Sequence, residues 1–235
     1  MLEELREGVC RANRELVEHG LVIFTFGNVS GVDRAAGAVV IKPSGVEYER
    51  LTPGNMVVVS LEDGSVLEGD LRPSSDTPAH LELYRAFAGI GGVTHTHSSW
   101  ATAWAQAGRD VPALGTTHAD YFRGAVPCAR APRSGEIASD YEASTGAVIV
   151  ERLAGANPLE VPAALVTGHG PFTWGSDPHG AVHHAAVLEA VCRAASRTLQ
   201  INPAAAPISQ ELLEKHFLRK HGDGAYYGQE SHGAG

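Results

Sequence analysis

An α+β domain with a mainly antiparallel sheet is the fold predicted for this chain. Three observations predict it. Apolar runs of strand length gather in the first half, and helical patterns dominate the second. Two such runs flank Glu62-Asp63-Gly64, a tight hairpin signal that requires antiparallel strands. With 235 residues, the chain can bury one sizeable core and is short for two.

Taken in order, Leu2–His19 reads as a helix. Leu2, Leu5, Val9, Ala12 and Leu16 recur at helical spacing, and Gly20 supplies the stop. Leu21–Phe26 and Ala38–Lys42 read as strands, and Met56–Leu61 with Ser65–Gly69 as the hairpin. Thr77-Pro78 starts a helix with proline at its first position, carrying Leu81, Tyr84 and Phe87 inward. Ile90–Thr94 is an apolar run that reads as a buried strand, followed by helical Ser98–Ala107. Further helices are expected over Tyr141–Leu153, over alanine-rich Ala181–Leu199 bounded by Asn202-Pro203, and over Pro207–His221 before Gly222. Ala154–Pro158 is a short loop, no internal repeat appears, and the tail after Gly228 is expected to be disordered.

His95-Thr96-His97 closes the apolar run at residues 90–94. Side chains at i and i+2 of a strand share a face, so two imidazoles project into one pocket. That is costly for two protonated rings and natural for two metal ligands. His169 ends a second apolar run, Ala163–Val166, where the chain turns through Gly168 and Gly170. Three histidines at strand ends outline a metal site with an open position. Zinc suits three imidazoles plus water or a carboxylate, and manganese, iron or cobalt take the same ligands. His183 and His184 open a helix, and His19, His179, His221 and His232 read as surface residues. Spacing leaves His80, His118 and His216 undecided.

The net charge of −9 argues against a nucleic-acid partner, whose footprint would be basic. No run of 18 apolar residues reads as a membrane span. Met1-Leu-Glu-Glu-Leu-Arg-Glu lacks the basic and then apolar regions of a signal peptide, so a cytoplasmic location is expected. Cys10, Cys128 and Cys192 are far apart and form no CxxC pair; they read as reduced thiols.

Three polar clusters remain. Gly27-Asn28-Val29-Ser30 follows the first expected strand, Lys42-Pro43-Ser44-Gly45 the second, and Pro73-Ser74-Ser75-Asp76 precedes a helix. Backbone N–H groups, hydroxyls and a lysine suit a phosphate, while turn chemistry and capping explain Asn, Ser and Gly equally well. No single cluster outweighs that explanation, and Lys42 adds weight to the anion reading. Asp120, in the polar stretch 115–122, is on spacing alone either a loop carboxylate or a general base. Tyr226-Tyr227 reads as packing or interface.

These motifs, with His95-Thr-His-Ser98 and Gly168-His-Gly-Pro-Phe172, resemble the class II aldolase/epimerase superfamily over nearly the whole chain. Gly115-Thr-Thr-His-Ala-Asp-Tyr121 and the end Lys215–Gln229 resemble its L-ribulose-5-phosphate 4-epimerase branch. The resemblance implies a three-layer α/β/α domain over residues 1–229, a tail over 230–235, and a homotetramer with sites between subunits. It implies a divalent metal on His95, His97 and His169 with Asp76 nearby. It implies a phosphate pocket of Gly27, Asn28, Ser44, Gly45, Ser74 and Ser75 with Lys42 close by. The acid/base pair would be Asp120 and Tyr227, the tyrosine from a neighbouring subunit, with His216 in support. The implied reaction interconverts L-ribulose 5-phosphate and D-xylulose 5-phosphate by cleaving and re-forming C3–C4. The sister fuculose-phosphate-type aldolases carry glutamate where this chain has Asp76, one methylene longer and placed to act as base. A non-catalytic, adducin-head-like role is disfavoured by the three histidines.

Overall fold

The structure, a computed structural model, describes residues 2–221 and 224–226. The expected domain end at residue 229 and the tail 230–235 lie outside them.

The elements run α1 (Leu2–Glu18), β1 (Asn28–Asp33), β2 (Ala38–Ile41), β3 (Val57–Ser60), β4 (Val66–Glu68), α2 (Thr77–Ala86), β5 (Gly92–His95) and α3 (Ser99–Gln106). They continue with α4 (Thr116–Ala119), β6 (Cys128–Ala129), α5 (Ser134–Arg152), β7 (Ala163–Val166), β8 (Pro171–Gly175), α6 (Pro178–Ile201) and α7 (Gln210–His221). The eight strands form one sheet in the order β4-β3-β2-β1-β5-β8-β7-β6. Every pairing is antiparallel except β6 with β7. The predicted hairpin is β3–β4.

Period-2 alternation sorts the strand residues onto two faces. Val39, Val57, Val59, Ala164, Val166 and Phe172 pack with Leu81, Leu83 and Tyr84 of α2 and with Val148 and Ile149 of α5. Their neighbours Ala38, Val40 and Val58 pack on the opposite side with Val9, Ala12 and Leu16 of α1 and Val182 of α6. Ala163 and Leu165 extend that side beneath Ala101 of α3 and Leu188 and Cys192 of α6. Helices therefore cover both faces, and the three-layer α+β architecture stands.

One expected strand does not form. Residues 21–26 are turn and coil, and Ile23, Phe24 and Phe26 are exposed. Their apolar character has no ladder to join: Asn28 already faces His95, the last residue of β5. The strand instead opens at Asn28, so the polar cluster read as the turn after a strand begins β1. Helix α5 carries a break at Asp140 (φ −153, ψ 91), whose carboxylate accepts from Ala143 N at 3.0 Å and restarts the helix near the expected position. Helix α6 begins earlier than alanine content indicated, because Asp177 caps it through Gly180 N at 2.8 Å with Pro178 at its first turn. The short α4 and strands β6 and β8 had no periodic signal long enough to read.

Candidate metal centre and phosphate-type pocket

One strand end, the loop beyond it and a hairpin turn bring the three histidines together, so the expected single strand face for His95 and His97 is not formed: the ladder stops at His95. His95 ends β5, His97 lies two residues beyond it, and His169 occupies the β7–β8 turn. His95 pairs across the sheet with Phe172, and the two rings stack at 4.2 Å. The turn can approach this closely because Gly170 has no side chain. A Cβ there would lie 2.8 Å from Thr96 O and 3.5 Å from His95 Cε1. Gly27 plays the same part on the other side, with φ +84 and room for no Cβ beside His95 O.

The ring nitrogens converge. His95 Nε2 and His97 Nε2 are 3.0 Å apart, and one ligand atom from each of the three rings lies within 4.8 Å of the others. His95 Nδ1 donates to Pro171 O at 2.9 Å, which leaves the Nε2 lone pair facing the cluster. His169 Nδ1 is 3.4 Å from the Tyr141 hydroxyl. Burial pushes His95 down to about 3 and pushes His169 below its ordinary value, so both rings are neutral, the form a metal binds. The three rings can hold a metal ion.

Asp76 stands just before α2, beside this cluster. Its Oδ2 accepts from Asn28 Nδ2 at 2.6 Å, and Asn28 also donates to Ser74 Oγ at 3.0 Å. Burial alone would raise the Asp76 carboxyl, but His95, His80 and the Asn28 hydrogen bond outweigh it and hold the group low.

The three polar turns meet in one cavity of about 410 Å³. Its lining includes Gly27, Asn28, Lys42, Ser44, Gly45, Ser74, Ser75, Asp76 and His97. Backbone bonds stitch two of the turns together: Ser74 N donates to Lys42 O at 3.0 Å and Ser44 N to Arg72 O at 2.9 Å. Lys42 is 2 % exposed, with its Nζ 3.4 Å from Pro43 O and 5.0 Å from the Tyr48 ring centroid. Desolvation lowers the ammonium to about 8. A buried ammonium beside hydroxyls and turn amides is an anion-binding arrangement.

Asp120 lies elsewhere, in a clamp made by α7. Arg219 grips it through Nε–Oδ1 at 2.9 Å and Nη2–Oδ2 at 2.7 Å, and His216 Nδ1 lies 2.9 Å from Oδ1. His221 Nε2 donates to the Asp120 carbonyl at 2.9 Å. Burial would raise the Asp120 carboxyl, but Arg219 and His216 outweigh it and hold the group low. Asp120 and His216 are thus brought together, and neither lines the cavity holding Asn28 and Lys42. Tyr227 lies outside the described residues.

Sequence reasoning gave no role to Tyr48, Tyr141 or Glu189. Tyr48 O–H is 2.6 Å from Phe26 O and 2.8 Å from Gly27 O, and so fixes the Gly27 turn. Glu189, on α6, accepts from Trp100 N at 2.9 Å and Ala101 N at 2.9 Å and caps α3, the helix that follows His97. Such contacts join residues far apart in the chain, and no local spacing announces them. Glu189→Ala is expected to cost about 1–2 kcal/mol, the range of a lost N-terminal cap, read as a lower midpoint in urea at unchanged slope.

Comparison with known proteins identifies the family. The sequence profile of the class II aldolase and adducin N-terminal domain family matches residues 7–196. The L-ribulose-5-phosphate 4-epimerase UlaF of Salmonella paratyphi B is 55 % identical over 229 residues, covering 97 % of this chain and 100 % of that protein. The same enzyme of Salmonella paratyphi C matches equally, at 55 % over 229 residues. Among solved structures, an L-fuculose 1-phosphate aldolase superposes with a TM-score of 0.78 at 22 % identity, over 91 % of this chain and 94 % of that one. The L-fuculose-1-phosphate aldolase of Thermus thermophilus gives 0.68 at 26 % identity, over 87 % and 100 %. By its sequence match and its fold together, the chain belongs to the class II aldolase and adducin N-terminal domain family.

Proposed function

We propose that this chain is an L-ribulose-5-phosphate 4-epimerase, interconverting L-ribulose 5-phosphate and D-xylulose 5-phosphate. The observation that carries this is the 55 % identity, across the full length of the relative, to the UlaF epimerase of Salmonella paratyphi B. His95, His97 and His169, with Asp76 beside them, would hold one divalent ion per subunit. Zinc is favoured by the nitrogen-rich donor set, and manganese, iron or cobalt also fit. When bound, such an ion supplies Lewis acidity that favours charge build-up on the C1–C3 half of the sugar.

The chain's own groups do the rest. Lys42, Asn28, Ser44, Ser74 and Ser75, with the Gly27 and Gly45 turns, anchor the 5-phosphate. Removing the C4 hydroxyl proton starts retro-aldol cleavage of C3–C4. The anchored glycolaldehyde phosphate then turns its other face to the remaining three-carbon half, and re-addition inverts C4. Two acid/base groups on opposite sides are required, and Asp120 and Tyr227 are assigned to them, with His216 supporting Asp120. The ion pair with Arg219 keeps Asp120 in the proton-accepting form. Asp120 does not line the Asn28–Lys42 cavity of its own chain, which supports a site completed between subunits of a homotetramer. The reading also takes residues 1–229 as one domain in a cytoplasmic setting, with no nucleic-acid or membrane partner. Among the described residues, no helix is long and apolar enough to cross a membrane.

The test is turnover of L-ribulose 5-phosphate by metal-loaded protein, followed through D-xylulose 5-phosphate. No epimerisation, with brisk aldol addition of a ketone donor to an aldehyde, would replace the epimerase by a class II aldolase. Tyr227→Phe is expected to lower kcat by about 10²-fold with metal content unchanged, within the usual range for a lost acid/base group. A wild-type rate removes that role. Lys42, at about 8, is charged below that pH and neutral above it. The kcat/KM for the phosphorylated substrate should therefore fall as pH rises through about 8. Lys42→Met should be low throughout and lack that limb.

A further inference from the structure

A buried polar chain behind the histidine cluster ends without a partner. Tyr84 and His80, both 0 % exposed, sit one turn apart on α2, and Ser30 reaches them from β1. Ser30 Oγ lies 2.8 Å from the Tyr84 hydroxyl and 2.7 Å from His80 Nδ1. There the chain stops: His80 Nε2 is buried and meets no hydrogen-bond partner among the described residues. A buried imidazole nitrogen in that state calls for a reason.

Ser30 has one hydroxyl proton, so the chain runs in one of two directions. If Tyr84 donates to Ser30 and Ser30 to Nδ1, the free end is an Nε2–H donor. If it runs the other way, the free end is a lone pair. The surroundings decide between them. Asp76 precedes His80 by four residues, so the two side chains share one face at the head of α2. Burial, the larger effect, lowers His80 to about 4 and keeps the ring neutral, while the Asp76 carboxylate favours a proton on it. A carboxylate attracts an N–H and repels a lone pair. The other flank of Asp76 is already taken by Asn28 Nδ2 at 2.6 Å. One aromatic wall fixes both imidazoles nearby: Phe172 meets His80 edge-on at 6.1 Å and stacks on His95 at 4.2 Å.

We propose that His80 is a positioning residue for Asp76: the Tyr84–Ser30–His80 chain holds it as the Nε2–H tautomer. That N–H makes no hydrogen bond in this structure and acts on the carboxylate through its polarity, while Asn28 holds Oδ2 by hydrogen bond, and together they favour the charged Asp76 beside His95, His97 and His169. The inference rests on reading these histidines and Asp76 as a divalent-metal site. Outer partners that orient a ligand typically contribute about 10- to 100-fold in metal affinity.

The experiment measures zinc affinity by competition with a chromophoric chelator for wild type, His80→Asn and His80→Gln. The imidazole 15N–1H spectrum of the metal-free wild type is recorded beside it. Asparagine can keep the contact to Ser30 but offers nothing at the Nε2 position, and zinc binding should weaken about tenfold or more. Glutamine places an N–H near that position and should restore most of the affinity, a rescue that simple packing would not produce. The wild-type spectrum should show His80 as the Nε2–H tautomer at pH 7. Wild-type zinc affinity in His80→Asn, or an Nδ1–H tautomer, overturns the proposal. Should both variants fail to fold, the wild-type spectrum and Ser30→Ala decide, since Ser30→Ala should lose the single tautomer and an unchanged spectrum refutes the chain. A wild type that takes up no zinc defeats the metal-site reading instead, and the tautomer still judges the role of the chain.

Discussion

Replacing His97 with alanine is expected to empty the metal centre and lower turnover by about 10³-fold, with the fold intact. His97 is exposed, so truncation opens no cavity in the core and should move stability little. Its effect falls on chemistry. His97 Nε2 sits 3.0 Å from His95 Nε2, and its loss leaves two imidazoles where three converged. A Lewis acid contributes several kcal/mol to a charge-developing step, and each ~1.4 kcal/mol is tenfold in rate. The measurements are metal content by elemental analysis, kcat on L-ribulose 5-phosphate, and thermal melting as the fold control. Full metal occupancy in the variant would remove His97 from the ligand set. The same substitution at His95 is a poorer test, because that ring stacks on Phe172 in the core and its loss would also unsettle packing.

Asp120→Asn is the second large effect, expected to lower kcat by about 10²-fold or more at unchanged metal content. Asparagine preserves shape and removes the charge. It also leaves Arg219 facing an amide in place of a carboxylate, so a stability loss of about 1–3 kcal/mol should accompany the kinetic one. The pair separates by pH. The folded Asp120 carboxyl is held below its ordinary value, so its contribution to stability is complete above the ordinary carboxylate range and disappears as pH falls through the lowered value. Wild type should therefore lose stability toward acid more steeply than Asp120→Asn. Parallel acid-denaturation curves would count against the clamp. A wild-type kcat in a folded Asp120→Asn protein would end the acid/base assignment.

Much of the candidate site is legible because its chemistry is local. His95 and His97 stand two residues apart at the end of an apolar run, which reads as one strand face although β5 ends at His95 and His97 lies in the loop beyond it, and the glycines around His169 mark a sharp turn. The Ser, Asn and Lys clusters advertise anion-type turns wherever they fold. The failed strand at residues 21–26 shows the limit of the same reasoning. Its apolar run satisfies the strand pattern, yet a strand exists only where a partner presents its ladder, and β5 ends level with Asn28. The roles of Glu189, Tyr48 and His80 were equally invisible. Each acts through a contact with another element, and a glutamate on a helix reads the same whether it faces water or caps α3.

The residue types and their spacing, taken alone, determined an antiparallel α+β domain, three histidines of metal-binding type and three donor-rich turns, because those depend on side-chain chemistry and short-range geometry. Only the tertiary structure decided that the β7–β8 turn sets His169 against His95, that the polar turns close one cavity, and that Asp120 is held by α7 apart from it. Those facts depend on which strands and helices lie side by side, and burial of apolar faces across the whole chain, rather than any local pattern, selects that arrangement.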